Sequence, residues 1–326
     1  MKSGRIRRSR VLALPRRVYR SIKRRFRKSA DDPEIRALQS ERMAYVAAHP
    51  ADPEGHYNLA RFYFEHGRVL AAIAECRTSL TFGPGKSAAD LLSTACASGN
   101  YDGDGIFTLP SFVYQRIKGL ASRISARFPN ERPKVLDVGG GEGYLNLFLR
   151  ECDYVLAEPS INGLLVSHFP DSSFDAVVAC HVFEHIPADQ KAEFLNRLCS
   201  VARRTVLLLG PLDTGMHRVD ATGLIYKITQ GPWAKEHLDC SIPSVNLITS
   251  FAAEHGIPCR VSPSGNWMSV YWAIFAHHFA DCAGKKEELR EAEEFANKFL
   301  RSDLVNEADP NEHLVELDLE RRGSPK

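Results

Sequence analysis

Glycines at 139, 140, 141 and 143 stand directly behind the apolar run "KVLDV" (134–138) and ahead of "YLNLFLRE". A backbone bare of side chains can take positive φ there and lets a ligand approach its N–H groups. The spacing is G-x-G-x-G. The third glycine of a dinucleotide-binding G-x-G-x-x-G would fall on Tyr144, which argues against a nicotinamide cofactor. Asp137 precedes the bend, and Glu158 closes the next apolar run, "YVLAE", where a carboxylate can accept both hydroxyls of a ribose. Gly139, Gly140, Gly141, Gly143 and Glu158 therefore read as a cradle for a nucleoside, and Asp137, at the end of the strand, is a further candidate to face a ligand there. His181 and His185 in "CHVFEH" and His237 in "KEHL" carry the side chain whose ordinary pKa, about 6.5, suits a general base.

These residues need a strand, a bend and a helix to hold them. "KVLDV" reads as a buried parallel strand and "YLNLFLRE" has helical spacing, which together form the first unit of a doubly wound sheet. "YVLAE", "FDAVVAC" and "RTVLLLGP" continue as strands, with an amphipathic helix over "ADQKAEFLNRLCSVAR". "WMSVYWAIFAHHFA" and "KKEELREAEEFANKFL" read as two later helices, and "HLVELDLERR" alternates like an antiparallel last strand.

The chain has 326 residues, 44% hydrophobic and 25% charged, and no run approaches the ~20 apolar residues of a membrane span. Its eight cysteines are scattered without a C-x-x-C pair, so the thiols are expected to be reduced in a cytoplasmic compartment, with no metal site. Cys180 reads as a core thiol rather than a nucleophile. Residues 1–30 hold 13 of the 42 basic residues and no acid, leaving 29 basic against 40 acidic in the remainder. This arm places Val11, Leu14, Val18, Ile22 and Phe26 at helical spacing beneath arginines, a pattern suited to an anionic membrane surface and, as a weaker alternative, to nucleic-acid phosphates. A solvated arm is the plain alternative.

Residues 31–99 read as helical, with Pro50 and Pro84 each closing an Ala-rich run. In those runs and in the interval between the two prolines the segment resembles a tetratricopeptide repeat, which implies a small all-α unit able to hold a protein partner. "GNYDGDGIFTL" (99–109) marks the boundary to a larger domain over 100–326.

"VLDVGGGEG" resembles the first motif of class I S-adenosylmethionine-dependent methyltransferases. "FPDSSFDAVVACHVFEHIP" (169–187) resembles the same family's fourth-strand segment, and Trp233, Glu236, His237 and Pro243 match the later W-x-x-E-H…P segment of its type 11 members. The resemblance implies a Rossmann-like, seven-stranded α/β sheet and S-adenosylmethionine as cofactor. It further implies methyl transfer to a small molecule, lipid-linked intermediate or glycan, with His181 also near the cofactor. Only the stretch "PSINGLLVSHFPDSS" (159–173) separates Glu158 from Phe174, which shortens the usual helix and third strand. Asn162 is the one carboxamide left there to hold an adenine. Two alternatives keep the fold but change the role: a protein or RNA methyltransferase that uses the basic arm, and a non-catalytic adaptor built on the helical repeats.

Overall fold

The computed structural model describes residues 32–213, 218–300 and 310–320; the basic arm and the terminal "GSPK" lie outside the described residues. Four helices come first: α1 (Pro33–Ala48), α2 (Pro53–Glu65), α3 (Val69–Phe82) and α4 (Lys86–Ser98). Asp32 and Asp52 cap the first two, each followed by proline in the first turn, where its missing N–H costs nothing. α5 (Ser111–Arg127) leads into β1 (Lys134–Val138), β2 (Asp153–Ala157) and β3 (Phe174–Cys180). α6 (Lys191–Val201) and β4 (Ala202–Gly210) follow, then α7 (Arg218–Thr229), α8 (Pro232–Cys240) and α9 (Val245–Glu254). The chain ends in β5 (Cys259–Ser264), α10 (Trp267–Cys282), α11 (Lys286–Phe299) and β6 (Glu312–Asp318).

The strands form one sheet in the order β2-β1-β3-β4-β6-β5. β1 to β4 are parallel and β6 runs antiparallel between β4 and β5. The strand order turns between β1 and β3, the place where doubly wound sheets bind ligands beyond their carboxyl ends. This is a Rossmann-like, doubly wound α/β arrangement, and the antiparallel last strand falls where the alternation places it.

Among the described residues the sheet has six strands, not the expected seven. Residues 159–173 hold only a short 3-10 turn, Val166–His168, and β2 is left as an edge. An edge strand exposes unpaired backbone groups, and here α3 covers them. Thr78 Oγ1 accepts the Leu156 N–H at 3.1 Å, Thr81 Oγ1 donates to the Tyr154 carbonyl at 2.9 Å, and Arg77 Nη2 donates to the Cys152 carbonyl at 2.8 Å. A helix with two hydroxyls and a guanidinium on one side thus stands in for the lost strand.

The same arginine accounts for a second difference. "YLNLFLRE" forms one 3-10 turn, Tyr144–Leu147, rather than a long helix. The Asn146 carbonyl, which an α-helix would bond four residues on, instead accepts Arg77 Nη1 at 2.6 Å.

The N-terminal segment gives no support to a tetratricopeptide repeat; it is a helical region whose packing serves the sheet. Ala71, Ala72 and Ala74 of α3, with Leu59 and Tyr63 of α2, belong to the same apolar cluster as β1, β2 and β3. The alanine content that suggests a repeat reflects close packing of α3 against its neighbours.

A buried polar chain fixes the two parts together. His56 Nδ1 of α2 lies 2.7 Å from Glu75 Oε2 of α3, both side chains fully buried. Asn162 Nδ2 donates to Glu75 Oε1 at 2.7 Å. Glu75→Ala would leave His56 and Asn162 buried without their shared acceptor, and each unsatisfied group costs about 1–3 kcal/mol. We expect a loss of about 3 kcal/mol in urea denaturation. Trp233, Trp267 and Trp272, all distant in sequence from the helical segment, should report the same midpoint by fluorescence as helix content reports by circular dichroism.

Candidate active site

β1 ends in the glycine bend, whose first N–H, from Gly139, donates to the Ala157 carbonyl at 2.8 Å. Gly139, Gly141 and Gly143 have φ of 67°, 56° and 82°, the left-handed region that glycine enters freely. Gly143 sits against α3, where a Cβ would come within 2.6 Å of the Ala74 methyl. At Gly141 the reverse holds: a Cβ would meet nothing within 4 Å. Gly141 is the open tip of the bend, and its N–H donates to Glu158 Oε2 at 3.1 Å.

Glu158 stands just past β2, half-buried. Its Oε1 accepts the Ser160 N–H at 3.0 Å and the Ser160 hydroxyl at 2.8 Å. Three of a carboxylate's roughly four lone-pair positions are then in use, leaving one for a ribose hydroxyl. A grip on both hydroxyls requires Ser160 Oγ to turn away.

Asp137 lies beneath the bend, 1% exposed, with its carboxylate against Gly140 and accepting Tyr154 Oη at 2.7 Å. Burial pushes its pKa up to about 7; the Tyr154 hydrogen bond opposes the rise and the Glu158 charge adds to it. Asp137 supports the bend from below.

Asn162 does not face a nucleobase. Fully buried, it donates to Glu75 Oε1 and to the Leu156 carbonyl, while its Oδ1 accepts the N–H groups of Glu158 and Leu164, each at 3.1 Å. All its hydrogen-bonding capacity goes into bracing the turn that carries Glu158.

His181 follows β3 at φ 55°, and the residue after it, Val182, packs on Gly139. His181 Nδ1 lies 2.9 Å from Glu184 Oε1 and Nε2 lies 2.6 Å from Glu312 Oε2, while Arg116 Nε reaches the same Glu312 oxygen at 2.9 Å. Burial and Arg116 disfavour a charged ring, but the two carboxylates outweigh them and raise its pKa. Burial likewise opposes ionisation of Glu312, yet Arg116 and His181 hold its pKa at about 2. With both nitrogens turned to carboxylates, His181 keeps no lone pair for a proton and serves as a brace instead of the expected base. Local spacing hides this cluster, because Arg116 lies on α5 and Glu312 on the last strand, both remote from His181 in sequence.

His185 and His237 meet across the loop. Their Nε2 atoms are 3.2 Å apart, and His185 Nδ1 lies 2.9 Å from Glu236 Oε2. Burial depresses the pKa of His237 to about 4, so its ring is neutral near pH 7. Both rings and His181 line a cleft of about 860 Å³ with apolar walls that include Phe112, Trp233, Trp267 and Ile274. The glycine bend does not line this cleft; the step His181–Val182 joins the two. Cys180 stays a core thiol, its pKa raised by burial.

Residues 111–214 match a family model described as a methyltransferase domain. No curated protein matches the chain. Among solved structures, the chain is similar to a SAM-dependent methyltransferase from Archaeoglobus fulgidus, at 13% identity, 62% of this chain, 92% of that one and a TM-score of 0.40. It is also similar to phosphoethanolamine N-methyltransferase 2 from Haemonchus contortus in complex with S-adenosyl-L-methionine, at 13% identity, 70% of this chain, 59% of that one and a TM-score of 0.37. The bend is bare and open at Gly141, and an acid sits one strand over with an acceptor position free.

The folded state binds the Asp137 proton more tightly than the unfolded chain, whose aspartates titrate near pH 4. Stability should therefore fall as pH rises from about 4 to about 7. Asp137→Asn keeps an acceptor for Tyr154 and removes the titration. Denaturation of both proteins at pH 5 and pH 8 should show the wild type losing on the order of 2 kcal/mol more than the variant over that interval.

Proposed function

With a methyltransferase domain over residues 111–214 and S-adenosylmethionine as its cofactor, the chain still needs a place for a methyl acceptor, and we propose that the 860 Å³ cleft is that place. The cofactor supplies an electrophilic methyl group on a sulfonium. The chain's own residues supply position, which is most of what such a displacement needs.

The observation that carries the cofactor side is the contact between the Gly141 N–H and Glu158 Oε2 beside a bend tip with open space around it. Gly139, Gly140, Gly141 and Gly143 offer backbone to the cofactor, and Glu158 accepts from its ribose. The His181, Glu184, Glu312 and Arg116 cluster holds the loop between bend and cleft. On the acceptor side, aromatic walls suit an apolar body, and the neutral ring of His237 with its neighbour His185 meets a polar atom on it. A cleft of this size walled on several sides favours a small organic acceptor over a segment of folded protein or duplex nucleic acid.

Calorimetry of the intact protein with S-adenosylmethionine and S-adenosylhomocysteine tests the cofactor half. Glu158→Ala should weaken both by roughly 100-fold, about 3 kcal/mol, for one or two charge-assisted hydrogen bonds. Trp233→Ala should leave cofactor binding intact and depress turnover of any acceptor found. If the wild-type protein binds neither cofactor form, the reading is wrong.

A further inference from the structure

We propose that Glu184, His185 and His237 form a binding site for one divalent first-row transition-metal ion, with its open coordination positions facing the cleft. One donor atom from each of the three residues lies within 4.8 Å of the others. The two Nε2 atoms are 3.2 Å apart and Glu184 Oε1 is 3.8 Å from His237 Nε2. Two donors held about 2.0–2.1 Å from a tetrahedral zinc ion stand roughly 3.3 Å apart, so the imidazole pair already has the required separation. The carboxylate lies within 4.8 Å of both rings and must move inward to close the set.

A direct hydrogen bond between the rings is the simpler reading, and two observations count against it as the full account. Glu184 is 1% exposed, and its Oε1 has no aligned hydrogen-bond donor although His181 Nδ1 lies 2.9 Å away. The His181 approach is an ion pair without an aligned N–H, so this buried oxygen keeps acceptor capacity that a cation could take up. Second, His185 Nδ1 stands 2.9 Å from Glu236 Oε2 without an aligned hydrogen bond, so contact between the rings leaves the other nitrogen of His185 unsatisfied.

Nothing in the residue spacing announces this site. Glu184 and His185 share a 3-10 turn after β3, while His237 arrives on α8. Two imidazoles and one carboxylate suit zinc, manganese or cobalt better than calcium or magnesium, which favour all-oxygen shells. Both histidines line the cleft, so an oxygen-bearing acceptor would complete the coordination. This assignment of role rests on the cleft being the acceptor site; metal binding itself does not.

The test uses full-length protein stripped with a chelator and dialysed, then titrated with Zn2+ by calorimetry and with Co2+ by visible absorption. We expect one equivalent bound at micromolar affinity or tighter, with d–d bands shaped by nitrogen ligands. His185→Ala and His237→Ala should each weaken Zn2+ by at least 100-fold. His49→Ala, far from the cleft in the first helical connection, should change nothing. Circular dichroism identifies any variant that has failed to fold, and the two histidine variants provide independent readings. Absence of stoichiometric binding by the wild type, or unchanged affinity in a folded His185→Ala, His237→Ala double variant, overturns the site. Because no S-adenosylmethionine is present, a protein that binds metal but neither cofactor form would refute the methyltransferase reading and leave this one standing.

Discussion

The exposed edge of β2 is the constraint from which much of this structure follows. A parallel strand at the rim of a sheet carries N–H and C=O groups that must find partners once buried. Among the described residues no strand lies between β2 and β3 to provide them, since residues 159–173 are too short to make a helix, a strand and two turns. α3 provides them with Thr78, Thr81 and Arg77. Using a helix in this role requires small residues where it approaches the bend, and Ala74 beside Gly143 is one. The N-terminal helices and the sheet are therefore parts of one core.

That arrangement reaches the cofactor end of the site through hydrogen bonds. His56, Glu75 and Asn162 form a buried chain that ends on the backbone N–H of Glu158. The chain is stabilising only when complete, because any one member alone would be a buried polar group without a partner. The position of the acid expected to meet the ribose is thus set partly by α3, a helix that precedes the whole sheet in sequence. On the other side, Glu312 at the start of the last strand fixes His181. Both ends of the described fold converge on the loops around the bend.

What can be read from the sequence divides along the same line. The strands, the bend and Glu158 are legible because each depends on a few neighbouring residues: apolar β-branched runs, consecutive glycines, an acid closing a strand. The last strand is legible from its alternation for the same reason. The end of helical order in "YLNLFLRE" is not, because Arg77 competes for the Asn146 carbonyl from outside the segment. The repeat-like reading of α2 and α3 goes unsupported for a similar reason. Alanines and regularly placed prolines describe helices that pack closely, and say nothing about whether the neighbour is another repeat or a sheet edge. Asn162 reads as a ligand because a carboxamide after a strand can serve as one; its actual partners come from α3 and its own turn.

The histidines show why residue type and position alone assign roles poorly at such a site. His181, His185 and His237 share one chemistry, and all line the cleft, yet their surroundings divide them. His181 is clamped between two carboxylates with Arg116 alongside, an environment that favours the protonated ring and immobilises it. His237 is buried with little compensation, an environment that favours the neutral ring and a free lone pair. His185 stands beside it, one nitrogen 2.9 Å from Glu236 and the other 3.2 Å from His237. Proton affinity falls from His181 to His237 because burial dominates at His237, while Glu184 and Glu312 outweigh burial at His181. Two carboxylates hold one ring between them while burial keeps its neighbour neutral, and this difference lets one part of the loop be fixed while another faces the cleft without a full charge.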